Sequence, residues 1–141
     1  MLTGPGPERP RVLVTRPAGQ AERLCSLIEA AGGEAVRLPA IEIREPADPG
    51  PLTTLVAALD SYDLAVFISV NAVNRGLEFI LDRRAWPART RIATVGVRSA
   101  EALVPFGLSV DLVPEHSFNS EALLALDELQ DMAGKRVVIF R

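Results

Sequence analysis

The sequence predicts an α/β fold built on a mostly parallel sheet with helices on both faces. Short apolar runs rich in β-branched residues alternate with stretches whose apolar residues recur every three or four positions, the marks of buried strands and amphipathic helices. The connections between them are short and carry Gly, Pro, Asn and Ser. At 141 residues and 48% hydrophobic content, the chain suffices for one domain, or for one domain and part of another.

Met1 to Pro10 is rich in Gly and Pro and lacks an apolar signal-peptide core, which predicts a disordered N-terminus. Val12-Leu13-Val14 then reads as a strand buried on both faces. Thr15-Arg16-Pro17 closes it, and Pro17 suits the first turn of a helix, where its missing N–H goes unused. Ala21, Leu24, Cys25 and Ile28 form one helical stripe, ended by Gly32-Gly33. Glu34 to Leu38 begins a second strand, so the order is β-α-β with a right-handed parallel crossover.

Pro39 interrupts this pattern, and Ile41 and Ile43 alternate with Glu42 and Arg44 as in a half-exposed strand. Glu45 to Pro51 holds three prolines in seven residues and reads as a linker. A domain boundary therefore falls at 39–51, the alternative being a surface loop within one sheet. The alternation restarts beyond it. Leu52, Leu55, Val56 and Leu59 predict a short helix, Leu64 to Ile68 a buried strand, and Val73, Leu77, Ile80 and Leu81 the stripe of a further helix. Arg91 to Val95 predicts a strand, Ser99 to Val104 a short helix, and Ser109 to Leu112 another strand. Ser120 to Leu129 reads as a helix capped by Asn119 or Ser120, and Arg136 to Phe140 as a last, fully buried strand. A buried parallel strand ordinarily leads into a covering helix, and Val137 to Phe140 is followed by one residue. The expectation is that the chain is a fragment of a longer protein.

Composition excludes several functions. Fifteen basic and eighteen acidic residues give a net charge of −3 with no basic stripe, and aromatics are 5%, which argues against nucleic-acid binding. The apolar runs are too short to span a membrane, so a cytoplasmic protein is expected. Cys25 is the single cysteine and His116 the single histidine, so neither an internal disulfide nor a His/Cys metal cluster is available. The chain lacks G-x-G-x-x-G, the P-loop and G-x-S-x-G, the marks of dinucleotide, nucleotide and α/β-hydrolase sites. Cys25 reads as a buried small hydrophobe, His116 as a solvated loop residue, and Asp60, Asp63, Glu78 and Glu101 as solvated carboxylates.

The candidate binding residues lie where strands open into helices. Ser69 follows the strand ending at Ile68, with Asn71 placed to cap a helix beginning at Ala72. Gly96 lets the chain leave its strand tightly, Ser99 is placed to cap, and Arg98 brings positive charge. Such turns aim N–H groups and a hydroxyl at one point and suit an anionic ligand. Simple helix capping explains the same residues equally well. Arg16, after the first strand, faces the edge where open sheets bind ligands, or else makes a surface salt bridge. With no nucleophile set or paired carboxylates, an enzyme here would act by positioning and electrostatics.

In order and spacing the chain resembles the uroporphyrinogen-III synthase family. The matching pieces are Val12-Leu13-Val14-Thr15-Arg16-Pro17, Pro39-Ala40-Ile41-Glu42-Ile43, Phe67-Ile68-Ser69-Val70-Asn71-Ala72-Val73 and Val95-Gly96-Val97-Arg98-Ser99-Ala100. Phe118-Asn119-Ser120-Glu121-Ala122-Leu123-Leu124 and Gly134 to Arg141 complete the set. The resemblance implies two α/β domains of Rossmann- or flavodoxin-like βα units joined by a two-stranded β-ladder, with the active site in the cleft between them. On that basis 11–38 is the first βαβ unit of one domain, 39–51 the link, and 52–141 most of the second domain, incomplete at its C-terminus.

The implied reaction converts hydroxymethylbilane to uroporphyrinogen III without a cofactor. Water leaves the terminal hydroxymethyl group, and the resulting cation attacks ring D, which inverts through a spiro intermediate. The substrate's eight carboxylates would be held by backbone amides at the turns, with Arg16, Ser69, Asn71, Gly96, Arg98 and Ser99 as binding residues. A monomeric, cytoplasmic protein that acts alone on this small molecule is implied. A non-enzymatic α/β module that binds a small anion is the competing reading.

Overall fold

In the computed structural model, which describes residues 9–141, strand β1 (Arg11–Val14) pairs in parallel with β2 (Glu34–Arg37), Leu13 standing opposite Val36. Helix α1 (Glu22–Ala30) links them. The expectation for Met1 to Pro10 falls, up to residue 8, outside the described residues. Gly32 ends the crossover at φ +86°, and the Gly33 N–H donates to the Ile28 carbonyl at 3.0 Å. Val14, Ala21 and Cys25 form the buried core of this unit, with Ile28 and Ala35 packed on it. Arg37 forks onto Glu22 with bonds of 2.7 and 3.0 Å, and that bonding holds the Glu22 carboxyl below its usual range.

Two expectations fail in this region. The first strand buries only Val14, because α1 covers one face of a two-stranded sheet and Leu13 points the other way. Residues 38–46 form no strand either. The Leu38 and Ala40 N–H groups donate to Val14 and Thr15, with Pro39, which has no N–H, between them. Beyond them Ile41 to Ile43 meets no pairing strand among the described residues, and Ile41 is exposed.

The chain divides into two compact units, Met1–Ala47 and Asp48–Arg141. The second begins with α2 (Gly50–Ala57), two residues before the expected helix start and inside the segment read as linker. The Asp48 carboxylate accepts the Gly50 N–H at 2.8 Å, and Pro51 sits in the first turn. A three-stranded parallel sheet follows in the order β4-β3-β5. Its strands are β3 (Leu64–Phe67), β4 (Arg91–Thr94) and β5 (Val137–Phe140), with Phe67 opposite both Thr94 and Phe140.

β3 is central and buried along its whole length. Alternation sends Ala65 and Phe67 to one face and Leu64 and Val66 to the other. The first face packs with Ile92, Val138 and Phe140 against Val73, Leu77 and Ile80 of α3 (Val70–Leu81) and against Val56 and Leu103. Phe67 stacks on Phe140 with ring centroids 4.8 Å apart. The second face packs Leu64, Val66 and Ala93 against Leu112 and Leu123.

Several predicted boundaries shift. The segment 109–112 makes only a single parallel bridge, Ala93 with Leu112. Its ladder stops early because the Asp111 carboxylate, not a strand carbonyl, takes the Ile92 N–H at 2.7 Å. The helix expected over 99–104 is α4 (Val97–Glu101), followed by a 3-10 turn at Val104–Phe106. The helix expected over 120–129 is α5 (Ser120–Leu124); extended backbone at Leu126 separates it from a 3-10 turn at Asp127–Leu129. The apolar run of β5 predicts full burial, yet only Val138 and Phe140 are buried. It is an edge strand, and Val137 and Ile139 are exposed on the face that α5 covers over β3 and β4. Among the described residues no helix is long and apolar enough to cross a membrane.

Candidate functional site

Parallel register places the C-terminal ends of β4, β3 and β5 along one edge of the second unit. At the end of β3 the Ile68 N–H donates to the Phe140 carbonyl at 3.2 Å, and Ser69 then takes extended backbone as the N-cap of α3. Its Oγ accepts the Ala72 N–H at 3.1 Å, and its carbonyl accepts the Val73 N–H at 3.0 Å. This is the capping expected of a serine at that position. Asn71, expected to cap, does not: α3 starts at Val70, so Asn71 is the helix's second residue and half-buried.

The end of β4 is built differently. Gly96 is the N-cap of α4 in extended backbone that any residue adopts. The close approach here is to a neighbour: a Cβ on Gly96 would stand 3.2 Å from the Cβ of Phe118, which would have to give by a few tenths of an ångström. The carbonyl of Gly96 accepts the Ser99 and Ala100 N–H groups at 3.0 and 3.2 Å, and the buried Thr94 hydroxyl donates to it at 3.2 Å. Ser99, expected as a cap, is the third residue of α4 and is buried beneath the turn. Arg98 is exposed on α4, 3.3 Å from the Glu101 carboxylate, which offsets part of its charge.

A third turn joins these two. Asn119 caps α5 by accepting the Ala122 N–H at 2.8 Å, and Phe118 before it lies against Gly96. The second unit therefore gathers Ser69, Asn71, Gly96, Arg98 and Ser99 at one sheet edge. Arg16 belongs to the first unit, exposed just beyond β1. Helix starts present N–H groups along their axes, and this edge offers them to an anion with little net charge of its own.

Sequence reasoning missed Phe118 and Thr94. An apolar residue directly before a capping Asn ordinarily packs on its own helix, so residue type gave no sign of the contact between Phe118 and Gly96. Thr94 carried no signal, because strand threonines are common. His116 is exposed as expected, with its Nε2 3.7 Å from the Glu115 carboxylate.

The opposite, N-terminal edge of the sheet holds a different cluster. Asp63 is not the solvated carboxylate its sequence context predicts: it accepts the Arg136 N–H at 2.9 Å, and that bond, aided by Lys135, lowers its pKa. It borders a cavity of about 250 Å³ with Arg89, Arg91, Glu128, Asp131 and Lys135. Asp60 is likewise engaged, accepting from Arg84 at 3.2 Å, while the same guanidinium nitrogen donates to the Val56 and Ala57 carbonyls at the end of α2. Both clusters hold the fold together rather than facing the strand-to-helix turns.

The family profile described as "Uroporphyrinogen-III synthase HemD" matches residues 22–141. The uroporphyrinogen-III synthase of Salmonella typhimurium is 35% identical over 131 residues, covering 92% of this chain and 53% of that protein. Its Escherichia coli counterpart is 34% identical with the same coverage, and that of Synechococcus elongatus 30% identical over 132 residues, with 92% and 49% covered. The crystal structure of the synthase from the extreme thermophile Thermus thermophilus shares the fold at a TM-score of 0.51 and 21% identity, covering 93% of this chain and 60% of that one. The chain spans about half the length of the curated relatives it matches.

Proposed function

Because the chain belongs to the uroporphyrinogen-III synthase family, we propose that it supplies one wall of a synthase active site, the wall formed by the turns at Ser69, Gly96 and Asn119. The activity would be that of a cyclising lyase of porphyrin biosynthesis. Hydroxymethylbilane loses water, and the cation so formed closes on ring D with inversion to give uroporphyrinogen III. The full-length family protein would need no cofactor for this and would work as a monomer in the cytoplasm.

The observation that carries the reading is the convergence of capped helix starts on one sheet edge, in segments that match the family. An octa-anionic substrate suits such an edge. Helix N-termini offer fixed partial positive charge without requiring a basic protein, which agrees with a net charge of −3. Backbone donors at these turns would grip propionate and acetate arms, and Arg98 would add long-range attraction. Arg16, in the 11–38 βαβ unit, would be a further substrate contact, with 39–51 as the link and 52–141 as the domain that carries the turns.

The test has two parts. Titration of the chain with uroporphyrin III, followed by 1H–15N NMR, should shift the amides of Ser69, Val70, Gly96 and Val97 and leave those around Arg89 and Asp131 in place. Incubation of the 141-residue chain with hydroxymethylbilane should give the spontaneous type I isomer with little type III, because the chain spans about half the length of its relatives. Shifts confined to the N-terminal edge would overturn the assignment of the wall. Type III product well above background would overturn the claim that a second half is needed.

A further inference from the structure

The C-terminal edge carries a second chemical character that charge and capping do not explain. Four apolar side chains stand exposed there: Ile68 at 44%, Val70 at 39%, Val97 at 43% and Phe118 at 59%. Each flanks a turn. Ile68 precedes the Ser69 cap, Val70 and Val97 open α3 and α4, and Phe118 precedes the Asn119 cap. Val70 continues the α3 stripe of Val73, Leu77 and Ile80 out past the strand ends, where it is exposed, while Ile68 and Phe118 lie outside any helix. Surface isoleucines and valines scattered singly need no explanation, but four gathered at one edge around polar caps make a mixed surface.

Among the described residues, Phe118 is the aromatic side chain in the exposed large apolar set, and it lies against Gly96. It sits where a Cβ on Gly96 would press to 3.2 Å. The loop thus brings its aromatic residue down onto the one cap that lacks a side chain, and leaves most of the ring in solvent. Burying that ring against Leu123 would satisfy the hydrophobic effect better, as in the usual apolar contact at a helix start.

We infer that Phe118, with Ile68, Val70 and Val97, forms the specificity-determining surface that receives the pyrrole rings of the ligand, while the backbone donors between them take its carboxylates. This rests on the proposed synthase reading and adds residues to it. A ligand with a flat apolar body and anionic arms at its rim matches the alternation of apolar side chains and N–H groups along this edge. A fully polar polyanion would leave these four side chains unpaired, and an apolar ligand would leave the donors unused. Aromatic contact with the face or edge of a ring adds geometric preference beyond simple area.

The experiment compares two probes on the 141-residue chain by NMR titration. Uroporphyrin III has the ring and the carboxylates; propane-1,2,3-tricarboxylate has carboxylates alone. Phe118→Ala should weaken uroporphyrin III binding about fivefold to tenfold and change tricarboxylate binding less than about twofold. Phe118→Tyr should retain the wild-type affinity for both. Gly96→Ala, which displaces Phe118, should weaken uroporphyrin III binding similarly, with no further loss in the double variant. Binding of uroporphyrin III by Phe118→Ala at wild-type strength overturns the inference and leaves the synthase reading standing. Equal weakening of both probes also overturns it, since that marks a disturbed loop rather than a lost ring contact. Failure of the wild-type chain to bind either probe overturns the synthase reading, and the inference with it.

Discussion

The Asp63 carboxylate accepts the Arg136 N–H at 2.9 Å, and the Arg136 carbonyl accepts the Asp63 N–H at the same distance. These reciprocal bonds join residues 73 positions apart. They pin the first turn of β5 to that of β3 and so set the register in which Phe67 meets Phe140. The bonded carboxylate is held below its ordinary range, first by the Arg136 N–H and further by Lys135. A depressed folded pKa stabilises above the unfolded value, near 3.8, and that contribution is lost as pH falls through the folded pKa. Asp63→Asn should lower Tm by a few degrees at pH 7, and its deficit relative to the wild type should shrink as pH falls below about 4. Thermal melts followed by circular dichroism across that range check this; a deficit that is constant with pH would remove the charge from the account.

Ser69 invites separation of its two roles. Ser69→Ala deletes the acceptor for the Ala72 N–H and should cost about 1 kcal/mol in urea unfolding. Ser69→Asp keeps an acceptor there, so stability should stay close to that of the wild type. The added negative charge should nonetheless weaken uroporphyrin III binding well beyond the alanine variant. Equal binding by the two variants would confine Ser69 to capping.

Gly76 lies within α3, where alanine ordinarily gains about 1 kcal/mol. A Cβ at Gly76 would stand 3.1 Å from the Phe67 ring and 3.5 Å from Phe140. Phe67 is fully buried between Phe140 and Trp86 and has nowhere to move. Overpacking of this kind costs about 1–3 kcal/mol, so Gly76→Ala should be net destabilising by about 1 kcal/mol. A gain in the midpoint of chemical unfolding would show that the aromatic layer yields.

Cys25 and Trp86 report separately on the two units. Cys25 is wholly buried in the first, whose sheet has two strands; Trp86 packs in the second, on the larger core. Two-stranded sheets are marginal on their own. Thiol labelling of Cys25 should therefore rise at lower urea than the Trp86 fluorescence transition. Coincident transitions would show one cooperative unit.

Much of this architecture was readable in the residues. The run Leu64 to Ile68 announced a buried strand because every side chain in it is apolar; Leu64 to Phe67 are buried, while Ile68 lies past the strand end and is exposed. The Ser69 cap followed from residue type, and of the two caps offered for α5, Asn119 and Ser120, the structure has Asn119. Sequence reasoning failed where tertiary pairing decides. Ile41 to Ile43 alternates like a strand, but alternation makes a strand only where a partner ladder exists. Leu13 is as apolar as any core-strand residue, yet the one helix of its unit covers the opposite face. Ser99 and Asn71 were misplaced by small errors in where helices begin, and one residue's shift turns a cap into an interior position. Phe118 could not be placed at all, since its contact with Gly96 spans 22 positions of chain and depends on the turn between Leu112 and α5.

The exposed rim of Ile68, Val70, Val97 and Phe118 has a consequence for how such a site can change over time. These side chains lie outside the buried core, so replacing one would change the proposed recognition surface at little expense in folding free energy. The strand tips beneath would hold still while the rim is rewritten. On the proposed reading, recognition of the ring could be redirected by a designer toward other flat polyacids without renegotiating the sheet that carries it.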